Sequence, residues 1–208
     1  MKTKWLTLVI SGLILLLAVS LASCTTTATT TTGDIQGSLI GADTAEPLAG
    51  ATIILGLVTG ESECTLQSDL IAFVGEDGTS ALTDVPAGIY VVFYDLSEEA
   101  EGTLQEIDGL EIDYALIGEP PGGTSSFITN ELYDTLGGGD ILMQHYEAGA
   151  NLTIEDGVIA SIEGSFALTS FRYGLTMEFH DGEPITVEVE SGETANLDIM
   201  AIVTEWPW

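Results

Sequence analysis

The 208 residues carry 33 acidic side chains against three lysines and arginines, a formal charge of −30, while 45% of the chain is hydrophobic. That balance excludes nucleic acid as a partner, because such binding rests on Lys and Arg neutralising phosphates. It also sets a folded domain against an anionic lipid surface, yet the apolar content and patterning are those of a packed protein rather than a disordered acidic chain.

In chain order, Lys2 and Lys4 precede an apolar run, Trp5 to Val19, and then small residues. This is the outline of a secretory signal peptide, and the run is shorter than the roughly 20 residues of a membrane-spanning helix. Leu21-Ala22-Ser23-Cys24 resembles the lipobox of bacterial lipoproteins. The resemblance implies that residues 1–23 are removed as a lipoprotein signal peptide and that Cys24 becomes the acylated first residue. Two or three acyl chains, palmitate among them, then hold the protein stably where a single chain would only dwell. The expected address is the cell envelope, with the chain facing the exterior or the periplasm. Thr25 stands where an aspartate can signal inner-membrane retention, so the outer membrane is expected if the host has one.

Removing 23 residues leaves 185, with Arg172 alone against 33 acidic residues, a formal charge of −32. Residues 25–32 are seven threonines and one alanine, so 24–33 reads as the lipidated cysteine and a solvated tether. Eight such residues reach at most about 25–30 Å. With Cys24 acylated, Cys64 has no partner for an intrachain disulfide and reads as a small apolar filler.

The remaining chain has a period of two nearly everywhere. Ala51–Val58 (ATIILGLV) and Ile89–Tyr94 (IYVVFY) are continuous apolar runs of strand length, β-branched and aromatic. The stretch 152–162, LTIEDGVIASI, predicts a hairpin turning at Asp156-Gly157, and Ser165–Phe171 and Leu175–Phe179 continue that meander. Near the C-terminus Ile185, Val187 and Val189 alternate with polar residues, as do Ala195, Leu197, Ile199, Ala201 and Val203. The turn Ser191-Gly192-Glu193 between them predicts a second hairpin with one face in the core. Glu188 and Glu190 fall on its other face. Only Ser126–Leu136 could form a short helix, ended by three glycines.

GSLIGADTAEPLAGATIIL (37–55) and EDGTSALTDVPAGIYVVFY (76–94) together resemble the carboxypeptidase regulatory-like family. Gly37, Pro47, Leu48, Gly50 and Ala51 match its opening strand and PLAGA turn. Asp77-Gly78 matches its hairpin turn, and Val85-Pro86-Ala87-Gly88-Ile89-Tyr90 its VPAGxY signature. The hairpin at 185–199 is similar to its last strands. The resemblance implies an all-β fold, an immunoglobulin-like or transthyretin-like β-sandwich over 34–208, and a non-catalytic module. Ser80 departs from the family's usual aromatic, and residues from about 97 to 174 stand in place of a short connection. This insertion elaborates the sandwich with extra strands or forms a subdomain.

No nucleophile elbow, zincin helix or phosphate loop is present, and His145 and His180 are too few for a histidine zinc site. The sequence is therefore not read as an enzyme and implies no cofactor. Calcium is the one metal with candidates: Glu76 and Asp77, and Asp108, Glu111 and Asp113, lie with glycines in expected turns that could supply oxygen ligands. The alternative is a set of solvated carboxylates that keep sheet edges charged. Trp206 and Trp208 could stack on sugars or cover the end of the core, and GEPPGG (118–123) reads as a rigid loop. The chain is thus expected to be a lipid-anchored envelope module that binds or scaffolds an extracellular protein or glycan. The alternatives are a calcium-stabilised adhesion or glycan-binding module and an envelope hydrolase using carboxylates of the insertion.

Overall fold

The computed structural model describes residues 31–96, 106–115, 141–145, 151–155, 158–170 and 172–202. The segment 126–136, the loop 118–123, Asp156-Gly157 and the tryptophans 206 and 208 lie outside them. Every element among the described residues is a strand. In the first half these are β1 (Thr32–Gly41), β2 (Thr52–Val58), β3 (Glu63–Phe73), β4 (Thr79–Pro86), β5 (Gly88–Asp95) and β6 (Glu111–Asp113). They are followed by β7 (Ile141–His145), β8 (Asn151–Glu155), β9 (Val158–Glu163), β10 (Ser165–Ser170) and β11 (Leu175–His180). The last are β12 (Glu183–Pro184), β13 (Thr186–Val189) and β14 (Thr194–Ala201).

Two sheets form a sandwich. The small sheet has the order β14-β1-β4, and the large one runs β6-β3-β2-β5-β11-β10-β7, with β12 on β11 and β13 on β5. The chain crosses between them four times, after β1, β3, β4 and β13. Strands from the stretch 97–174 widen the large sheet at both ends, β6 beside β3 and β10 and β7 beyond β11.

The large sheet is buried on both faces, which is why its central strands read as unbroken apolar runs rather than alternating ones. Along β5 the side chains divide between two cores. Tyr90, Val92 and Tyr94 join Ile35, Leu39, Val85, Leu197 and Ile199 of the small sheet, while Val91 and Phe93 join Ile54, Leu66, Leu175, Met177 and Phe179. In this second core Phe166 and Phe179 stack with ring centres 4.8 Å apart, in the range of favourable aromatic pairs. Cys64 is buried there as an apolar filler, its thiol pushed up to about 12 by burial.

Val85–Tyr90 makes the crossing from β4 to β5. The Tyr90 hydroxyl donates to the Pro86 carbonyl at 2.7 Å, tying a core side chain back to the corner four residues upstream, as in a tyrosine corner. The crossing from β3 to β4 takes a turn in which Gly78 has φ +82°. Asp77-Gly78 is therefore no hairpin turn, because the strands on either side of it belong to different sheets.

The C-terminal hairpin is also corrected. β13 pairs antiparallel with β5, Val187 opposite Tyr90, whereas β14 pairs in parallel with β1, Leu197 opposite Gly37. The apolar alternates of both strands still enter one core, with Val187, Val189, Leu197, Ile199, Tyr90 and Val92 buried and Ile185 packed against them. They reach it from opposite sides. The connection is fastened to the start of β1 by Gly192 N–H to the Thr32 carbonyl and Asp34 N–H to the Glu193 carbonyl, both 2.8 Å. For the same reason β1 begins at Thr32, two residues before the expected start of the domain.

β8 and β9 pair as the hairpin expected at 152–162, with Leu152 opposite Ile162. They form a separate two-stranded sheet, and β10 pairs with β7 and β11 instead of extending their meander. Free edges and existing partners decide such pairings, and alternation alone does not.

Candidate functional site

The alternation that sends Ile35 and Leu39 of β1 inward leaves Gln36 and Ser38 on the outer face of the small sheet. Asn196, Asp198 and Met200 of β14 and Ala81 and Thr83 of β4 lie on the same face by the same rule. Of the outward positions at the centre of this face, Gln36, Ser38, Thr79, Ala81, Asn196 and Asp198, one is a carboxylate. Asp34, opposite Thr194 and accepting from the Asp84 N–H at 3.2 Å, carries a second one further along the same face.

An open groove of about 530 Å³ runs over this face, lined by Gln36, Ser38, Phe73, Ser80, Asn196 and Asp198 among others. Phe73 ends β3 with 62% of its surface exposed. The floor is organised by hydrogen bonds. Ser38 Oγ donates to Asp198 Oδ1 and Asn196 Nδ2 to Asp198 Oδ2, each at 2.7 Å. These donors, Ser38 foremost, hold the Asp198 carboxyl below the usual carboxylate range.

The acidic turns act locally, and the one at Asp77 closes on Thr79 at the rim of the groove. Asp77 Oδ1 accepts from the Thr79 hydroxyl at 2.7 Å and the Thr79 N–H at 3.1 Å, which lowers its pKa and closes the turn beside exposed Glu76. Asp108 Oδ1 accepts from the Ser68 N–H at 3.2 Å, and its pKa is likewise lowered. Asp113 Oδ1 accepts from Ser62 Oγ at 3.1 Å and the Ala115 N–H at 2.9 Å. Glu111 is exposed on β6, opposite Thr65. Among the described residues no three acidic, His or Cys side chains gather at one point.

Two groups escaped the sequence reading. Ser165 and His180 face each other across β10 and β11, with Ser165 Oγ 2.7 Å from His180 Nδ1 and Asp181 Oδ2 3.6 Å from His180 Nε2. The residue types are those of a nucleophilic triad, but the geometry is that of a latch. His180 and Asp181 are exposed, and the neighbouring Gly164 N–H is already committed to Asp181 Oδ1 at 2.8 Å, leaving it no free bond for an oxyanion. Asp181 and Gly182, at φ +50° and +86°, form the two-residue turn from β11 to β12.

The second group is Glu178, only 5% exposed in β11. Its Oε1 accepts from the Tyr94 hydroxyl and, at 2.6 Å, from the Ile202 N–H. Burial raises its pKa against the opposing pull of these two bonds. The sequence signal was a single carboxylate between Met177 and Phe179, indistinguishable there from the polar face of a half-buried strand.

The fold and this face define an all-β sandwich with an open groove on one outer surface, its lining carrying the Asp198 carboxylate. No family model matches the chain, and no curated protein matches it. Among solved structures it is similar to GBS52, the minor pilin of the Gram-positive pathogen Streptococcus agalactiae. That likeness has 11% identity over 85% of this chain and 100% of that one, with a TM-score of 0.24. It is also similar to the Bacillus anthracis TIE protein, at 14% identity over 81% of this chain and 33% of that one, with a TM-score of 0.21. At these scores neither likeness bears on fold or function.

Proposed function

We propose that the chain is a lipid-anchored module of the cell envelope that binds a partner through the outer face of its small sheet, without catalysis. The observation that carries this reading is the groove itself. It combines an exposed aromatic ring with a fixed polar floor, and rigid strands rather than loops set the spacing of that floor. The lipobox resemblance at Leu21–Cys24 supports the anchor, and the threonine-rich tether that follows Cys24 and ends before β1 gives the domain reach away from the bilayer. The carboxypeptidase regulatory-like resemblance supports a non-catalytic module of this kind.

Cys24→Ser tests the anchor. The wild-type chain is expected to incorporate a labelled fatty acid and to sediment with membranes. The variant should take up no label and accumulate as an unprocessed or mislocalised precursor. Normal labelling of Cys24→Ser would contradict the reading.

A further inference from the structure

Resting on that reading of the face, we infer that the groove binds an uncharged oligosaccharide. Phe73 offers an apolar platform exposed over 62% of its surface, suited to the C–H face of a sugar ring. The same groove is lined by Gln36 and Asn196, whose amides both donate and accept, and by Asp198, whose carboxylate only accepts. An apolar plate flanked by mixed donors and acceptors matches a ligand with alternating C–H faces and hydroxyls.

Charge separates this ligand class from its rivals. An acidic polymer would meet the field of a domain with one arginine against 33 acidic residues. A basic peptide would be drawn to the acidic surface at large, but the groove offers it only one carboxylate.

The test uses the full-length chain in detergent micelles, with an array of neutral oligosaccharides built from glucose and N-acetylglucosamine. Oligogalacturonate and tetralysine serve as acidic and basic comparators. At least one neutral series is expected to bind saturably. Phe73→Ala should weaken that binding by about tenfold or more, and Asn196→Ala and Gln36→Ala by about threefold to tenfold. All three positions lie on the outer surface, so unchanged melting midpoints will show that the variants fold. Binding that Phe73→Ala and Asn196→Ala leave intact, or no saturable neutral ligand, overturns the inference. Tetralysine binding that depends on Phe73 would overturn the ligand class while leaving this face as the binding surface. Loss of every Phe73-dependent interaction would remove the face from the proposed function and leave the Cys24 anchor to its own test.

Discussion

Gly37→Ala is expected to cost about 2–4 kcal/mol and to lower the thermal midpoint by about 5–10 °C for a chain of this size. A Cβ at Gly37 would lie 1.7 Å from the Leu197 carbonyl oxygen, 2.4 Å from its carbon and 3.0 Å from its Cα. All three are backbone atoms of the paired strand, so no rotamer change relieves the clash. β14 would have to move away from β1 or slip in register, and slipping by one residue would turn Leu197 and Ile199 out of the core. Gly50→Ala is the control. Gly50 has φ +85° but nothing within 4 Å of the added carbon, so only backbone strain of about 1 kcal/mol is expected. An unchanged midpoint for Gly37→Ala would mean that β14 does not pair with β1 in this register.

Glu178 carries the second large effect. Glu178→Ala should cost on the order of 2–5 kcal/mol, because it strips partners from the buried Tyr94 hydroxyl and the Ile202 N–H. Glu178→Gln keeps an acceptor oxygen for both and should cost little. The pH dependence has a definite sign. Burial raises the folded-state pKa of Glu178, so its contribution to stability is fully present below the unfolded value of about 4.3. That contribution is lost as pH rises through the folded value, since the folded state there binds more protons than the unfolded. Measured by urea unfolding, Glu178→Gln should therefore gain on the wild type as pH increases through this window and then hold a constant difference. Asp77, Asp108 and Asp198, with lowered pKa values, act in the opposite sense, losing stability as pH falls. They are present in both proteins and cancel in the comparison. A difference that does not change with pH would place Glu178 in contact with water.

Much of the fold was legible because burial on two faces leaves a mark. The runs IYVVFY and ATIIL have no charged alternates, since β2 and β5 lie at the centre of a covered sheet. Partner choice left no such mark. The alternation of 185–189 and 195–201 is identical whether the two segments pair with each other or cross between sheets, and only the edges offered by β5 and β1 settle it. Asp77-Gly78 misled in the same way, because a glycine at positive φ serves a crossing as well as a hairpin. Gly37 was visible as a match to a family pattern. Its physical reason, close approach of the Leu197 backbone, belongs to a residue 160 positions away in the chain. The groove was illegible for a related cause. Phe73, Gln36 and Asn196 come from three strands and acquire meaning only when the fold brings the end of β3, in the large sheet, to the groove over β1 and β14.

The central claim is that this outer face is where the protein meets its ligand. The direct measurement is an amide nitrogen–proton correlation spectrum of the full-length chain in micelles, titrated with the saccharide retained in the array. The largest shifts are expected on Gln36, Ser38, Ser80, Ala81, Asn196 and Asp198, with the amides of β10 and β11 unmoved. Shifts centred on Ser165–His180, or on the turns at Asp108 and Asp113, with the small sheet silent, would contradict it.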